Sequence, residues 1–157
     1  MEDNFDKYFI FVSSDSEISG YETYLNRIKQ NKWPLYIKTK NLNIISASSK
    51  VLFYIAGSYP KSQCFIASAT IDKINYINQS ESDPDNKLKK IIAYVSFTNI
   101  ETFTKPILIK NYIDKLSFIT EDKKKYYGLY FQSGTCKIDK FSYKLITEIA
   151  KNEKKPI

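Results

Sequence analysis

The chain of 157 residues contains no histidine. That absence removes the commonest general base, the commonest metal ligand and every Ser-His-Asp or Cys-His arrangement. Glycine is scarce, with four copies at positions 20, 57, 128 and 134. Neither a P-loop nor a G-x-G-x-x-G dinucleotide turn can be written with them, which argues against nucleotide hydrolysis and hydride transfer. The two cysteines, Cys64 and Cys136, stand apart in apolar, strand-like stretches, so no zinc ligand set is at hand. They read as small buried hydrophobes, although neighbouring strands could bring them face to face. Asp83-Pro84-Asp85 lacks the further ligands of a calcium loop, and the other acids fall in loops and helix caps rather than as a hydrolytic pair. No catalytic residue, metal or cofactor is expected, and the chain is not expected to be an enzyme.

Long hydrophobic runs are also missing. Val51 to Ala56 is typical of the apolar stretches and is far too short to span a bilayer. The amino terminus, Met1-Glu2-Asp3-Asn4, is acidic where a secretory signal would be basic and then apolar, so a cytoplasmic home away from membranes is the expectation. What is present suits a soluble globular domain: 43% hydrophobic and 15% aromatic residues. Basic residues exceed acidic ones by 24 to 17, leaving +7, which suits a polyanionic partner. Arg27 is the sole arginine, and the abundance of Ile, Asn, Lys and Tyr is also what an AT-rich genome produces.

Tyr8 to Val12 reads as a first strand closed by Ser13-Ser14-Asp15-Ser16. A helix follows, with Ile18, Tyr21, Leu25 and Ile28 at helical spacing; Ser14-x-x-Glu17 and Ser19-x-x-Glu22 are alternative capping boxes, and Gly20 favours the later. It runs out by Asn31, ahead of Trp33-Pro34. Lys50 to Ile55 and Gln63 to Ile74 are strands that should pair across a turn-rich connection. Asn78 to Lys87 has no apolar residue and reads as a surface loop; a long strand resumes at Lys90. Ile107 to Leu116 suggests an extended piece and a helical turn. Glu121 to Lys125 reads as a solvated hairpin tip before a strand over Tyr126 to Phe131. Asp139 can cap a last helix whose apolar face carries Phe141, Leu145 and Ile149. The pattern predicts one α+β domain over residues 1–150, a curved sheet or small barrel of five or six strands flanked by helices, with 151–157 as a tail or the start of a linker.

Most of the 13 tyrosines and 10 phenylalanines should fill sheet faces. Trp33 differs, because it follows the basic stretch Lys29-Gln30-Asn31-Lys32 and precedes Pro34 at an element boundary, where a ring could be held over a cleft. Stacking on a nucleobase is worth about 1–3 kcal/mol, and nearby lysines add phosphate attraction.

Three segments, taken in order, carry a resemblance. They are Tyr8 to Ser14 followed by a helix and Lys32-Trp33-Pro34; Ser48-Ser49-Lys50-Val51-Leu52-Phe53-Tyr54 with Cys64 to Ile71; and Lys105-Pro106-Ile107, Leu116 to Ile119 and Tyr130 to Gly134 before a closing helix. Together the chain resembles the EVE domain of the PUA-like superfamily, related to the YTH readers of methylated adenine. Ser48-Ser49 stands where that family usually has Gly-Asp, Ala67 where it often has glycine, and Ser133 where a second glycine is common.

The resemblance implies a PUA-like pseudo-barrel whose pocket accepts a flipped, often modified base between aromatic side chains. By position it makes Trp33 one wall, Tyr54 or Tyr59 a second, and Ser13 and Ser14 the polar floor, with Lys29, Lys32, Lys38 and Lys61 as phosphate contacts. The partners implied are DNA or RNA carrying a modified base and, in a longer natural chain, a C-terminal GTPase motor, as in modification-dependent restriction systems of the McrBC type. A PUA-like RNA-binding module in RNA modification or translation is the alternative.

Overall fold

A computed structural model of the chain describes residues 6–57, 62–83 and 86–154. In chain order the elements are β1 (Tyr8–Ser13), α1 (Gly20–Gln30), β2 (Trp33–Tyr36), β3 (Lys50–Ile55), β4 (Cys64–Asp83), β5 (Asn86–Leu108), β6 (Thr135–Ile138) and α2 (Lys140–Lys154). The strands form one sheet in the order β2-β5-β4-β3-β1-β6. β1 and β3 run parallel and the other neighbours antiparallel. This is the α+β curved sheet of five or six strands flanked by helices that the sequence leads one to expect.

β1 and β3 are buried on both faces, which is why each reads as an unbroken apolar run rather than an alternating one. Phe9, Phe11, Val51, Phe53 and Ile55 point into one core, sealed by Tyr21, Tyr24 and Ile28 of α1. Tyr8, Ile10, Val12, Leu52 and Tyr54 point into the other, sealed by Tyr143, Ile146, Ile149 and Ala150 of α2. Each such fully enclosed side chain contributes about 1.5–3 kcal/mol. The sheet curls until its edges meet: the Thr135 hydroxyl, at the start of β6, donates to the Lys40 carbonyl in the turn after β2, at 2.7 Å.

Caps place α1. Ser19 is its N-cap and accepts from the Glu22 amide at 3.2 Å, so the later of the two capping sites is used. Asn31 ends the helix in the left-handed region at φ 52°, and its side chain pins β5 through the Phe97 amide (2.8 Å) and carbonyl (3.1 Å). Asp139 caps α2, accepting from the Ser142 amide at 3.2 Å. Ser48, where a glycine is usual in the resembled family, sits at φ 74°, a backbone that glycine adopts freely.

Two expectations are corrected. The polar run after Asn78 is not a long loop, because β4 continues to Asp83, which pairs with Asn86. Asn78 to Ser82 are exposed, so backbone hydrogen bonds hold this part of the ladder with no apolar residue from β4, across an irregularity between Tyr76 and Glu81. Tyr126 to Phe131 is not a strand but part of a 3₁₀ segment, Glu121–Phe131, broken at Tyr126 and absorbing the charge run read as a hairpin tip. Packing decides this: Phe131 must stack on Tyr54 (4.2 Å) while Tyr130 meets Phe118 edge-on (5.6 Å). α2 runs through Lys151 to Lys154. Cys64 and Cys136 are both free and buried, in keeping with their reading as small hydrophobes, and with β3 and β1 between their strands they do not face each other. No helix among the described residues is long and apolar enough to cross a membrane.

Candidate functional site

A cleft of about 90 Å³ lies where the sheet edges approach each other. Its walls come from the end of β1 (Val12, Ser14), from α1 (Thr23, Arg27), from β2 (Trp33 to Tyr36), from the β4–β5 hairpin (Asp83, Lys89) and from Gln132 to Thr135 before β6. A wider hollow of about 310 Å³ adjoins it, sharing Tyr36, Thr39, Lys89, Gln132 and Ser133 and adding Ile37, Lys38 and Lys90. Local structure explains the convergence. Pro34 is tolerated because β2 is an edge strand, and the register shift between Leu35 and Tyr36 re-aims the tyrosine. The Tyr36 amide then donates to the Thr39 hydroxyl at 2.7 Å, turning the chain. Across the cleft, Gly57 (φ 113°) lies so close to Asp15 that a Cβ there would fall 2.2 Å from the carboxylate.

A polar line runs through the cleft. The Tyr36 hydroxyl donates to Asp83 Oδ2 and accepts from Arg27 Nη2 at 3.4 Å. Asp83 is 3% exposed, a charged acceptor taken almost wholly out of water. Burial pushes the Tyr36 phenol well above its ordinary value, with the Arg27 charge opposing, so it remains a proton donor. The Lys89 ammonium lies 4.9 Å from the Tyr36 ring centroid, and the Arg27 guanidinium carbon stands 4.8 Å over the Trp33 ring. The Thr23 hydroxyl also belongs to this cleft; the residue is 4% exposed and Oγ1 has no hydrogen-bond partner among the described residues. A buried hydroxyl left unpaired costs about 1–3 kcal/mol, the penalty a ligand group could relieve. Together these groups offer a carboxylate acceptor, a guanidinium donor and a free hydroxyl beside an indole: a hydrogen-bonding edge for a planar heterocycle.

The residues singled out from sequence are not all brought together. Trp33 lines the cleft but is 2% exposed, enclosed by Phe53 (5.1 Å), Phe11 (6.0 Å), Tyr24 and Phe97 (both 6.3 Å). It is a core residue under Arg27 rather than a ring held open over a cleft, because its large apolar surface is worth more packed than exposed. Tyr54, 1% exposed, points to the opposite face of β3 from Trp33 and does not line this cleft; the alternation along a strand sends it away from Phe53. Tyr59 and Lys61 lie outside the described residues. Ser13 is fully buried, its hydroxyl donating to the Gly20 carbonyl at 2.6 Å, whereas Ser14 reaches the cleft. Lys38 lines the adjoining hollow; Lys29 lines neither space, and the Lys32 ammonium sits 4.2 Å from the Tyr94 ring centroid.

Sequence reasoning passed over Thr23, Arg27, Tyr36, Asp83, Lys89 and Lys90. For one of them a signal existed: Arg27 is the single arginine in a lysine-rich chain, and arginine's planar fork is not interchangeable with lysine. Asp83 carried no such mark, since only the folding-back of the hairpin delivers it to the cleft. Among the described residues no group of three or more His, Cys, Asp or Glu could hold a metal ion.

No protein-family model matches the chain, and no curated protein does. Solved structures do. The chain is similar to a hypothetical protein from Leishmania major, at 12% identity and TM-score 0.59 over 96% of this chain and 98% of that one. It is similar to Rpa0253 from Rhodopseudomonas palustris, at 10% identity and TM-score 0.58 over 95% and 96%. Protein Atu2648 from Agrobacterium tumefaciens matches at 10% identity and TM-score 0.53 over 92% of each chain. At such identities the likeness is one of fold, and it extends over nearly the whole length of each.

Proposed function

We propose that this chain is a non-catalytic nucleic-acid-binding module that captures a flipped, modified base in the cleft beside Trp33. One observation carries the reading: the part-buried line Arg27–Tyr36–Asp83, with the unpaired Thr23 hydroxyl, forms a hydrogen-bonding edge against an indole, and Lys38, Lys89 and Lys90 line the cleft and the hollow beside it. Arg27 occupies the space over the indole. Swinging it outward admits a base, and its charge then meets the phosphates that Lys38, Lys89 and Lys90 attract. Unstacking a base costs a few kcal/mol, which stacking and the recovered hydrogen bonds offset. A methyl group on the base packs against Val12, Trp33 and Leu35 and adds about 0.8 kcal/mol. The resemblance of the three sequence segments to the EVE domain supports the same function, and with it a place as the specificity module of a cytoplasmic restriction system with a GTPase motor.

The test is a titration of DNA and RNA oligonucleotides, with and without 5-methylcytosine or N6-methyladenine, against the wild type, Asp83→Asn and Lys89→Ala. One modified oligonucleotide should bind most tightly; Asp83→Asn should weaken that preference about tenfold, and Lys89→Ala should weaken all ligands and flatten the salt dependence. Equal binding of modified and plain strands, unaffected by Asp83→Asn, would sink the proposal. Recovery of altered oligonucleotide would overturn its non-catalytic part.

A further inference from the structure

On the far side of Ser14 and Gln132, which line both spaces, lies a second cavity of about 430 Å³. We infer that this cavity takes the base next to the captured one, so that the protein engages two successive nucleotides of an unpaired strand; the inference rests on the base-capture reading above.

The cavity is lined by the aromatic residues Tyr54, Tyr127 and Phe131, by Gln63, and by Lys125 at the rim. Tyr54 is 1% exposed, its ring stacked on Phe131, yet its hydroxyl makes no hydrogen bond among the described residues. Tyr54 lines the cavity, so its hydroxyl is available to a ligand's edge. Tyr127 is half-buried, makes no aromatic contact among the described residues and is held by donating its hydroxyl to Gln63 Oε1 at 2.6 Å, so its ring can receive a base face. Lys125 is exposed and makes no ion pair among the described residues. Gly57 and Gly128 leave the entrance bare, and a Cβ at Gly128 would meet nothing within 4 Å. Aromatic rings, an amide and one lysine suit a nucleobase with a phosphate at the rim better than a phosphate alone. Because the two spaces share a wall, one chain can fill both, and two adjacent bases leave the stack together only where the strand is unpaired.

The experiment compares four probes: the modified nucleoside 5′-monophosphate, a single-stranded trinucleotide with the modified base at its centre, the same trinucleotide with abasic flanks, and a duplex carrying the same base. The wild type should bind the complete trinucleotide about tenfold more tightly than the abasic-flanked one, the worth of one stacked base, and should prefer it to the duplex. Gly128→Phe, which fills the entrance without touching the fold, should erase that difference while leaving monophosphate binding intact. Tyr54→Phe, the milder change, should reduce it. If the monophosphate binds but abasic flanks make no difference, or if Gly128→Phe leaves the difference standing, this inference is overturned while base capture survives. If neither monophosphate nor trinucleotide binds, base capture itself fails and this inference with it.

Discussion

The two faces of β3 enclose their aromatic residues differently. On the Phe53 side, five rings, Phe11, Tyr24, Trp33, Phe53 and Phe97, meet mostly edge to face, with centroids 5.0 to 6.3 Å apart, under a well-capped helix, and the neighbouring cleft is only about 90 Å³. On the Tyr54 side, the cover beside the ring is a broken 3₁₀ segment carrying Gly128, and the cavity is about 430 Å³. A regular helix packs its side chains at fixed spacing and leaves little room, whereas a short-turned segment with a bare glycine cannot fill the space over the sheet. The first face is therefore suited to recognition by fixed polar groups, the second to a looser, stacking kind of contact.

That contrast can be broken most directly at Trp33. Trp33→Ala should lower stability by about 3–5 kcal/mol in urea unfolding, because it empties the centre of the tight cluster. A loss below about 1 kcal/mol would mean that the ring is a wall of the cleft and not part of the core. For the same reason a binding defect in Trp33→Ala says little about base capture, and Asp83→Asn is the sharper probe. A smaller effect of opposite sign is expected at Thr23. Thr23→Val removes the unpaired hydroxyl at nearly constant shape and should raise stability by about 1 kcal/mol while weakening binding of the modified oligonucleotide; destabilisation would show that the hydroxyl is satisfied in solution.

The smallest effect concerns both faces equally. Burial raises the thiols of Cys64 and Cys136 from 9.0 to about 11. A thiol whose folded value is raised is protonated in both states below pH 9, so its contribution is intact there. Between about 9 and 11 the unfolded chain ionises first, and stability falls. Unfolding midpoints should thus be level through neutral pH and decline across that window, and both thiols should resist alkylation at pH 8 until the chain unfolds.

Much of the fold was legible in the chain. Lys50–Ile55 reads as a strand with the bounds it has, α1 begins at its Ser19 cap, and Asp139 starts the last helix, because apolar runs and capping side chains act over a few residues. β2 and β6, four residues each, escaped notice, since so short a strand owes its existence to its neighbours. The site was less legible. Trp33 and Ser14 reach the cleft, but Tyr54 belongs to the other face, and neither Asp83 nor Thr23 carries any local sign of its place.

By itself, the sequence made binding the class of function to propose first: it holds no histidine, no close pair of cysteines and no glycine-rich loop. It also determined which strands are buried, since an apolar run has to leave water. Only the tertiary structure decided which aromatic residue faces which space, because one step along a strand reverses the face. The same holds for the meeting of Arg27 and Tyr36 with Asp83, which lies 47 residues beyond Tyr36 and reaches it only through the folding-back of the β4–β5 hairpin.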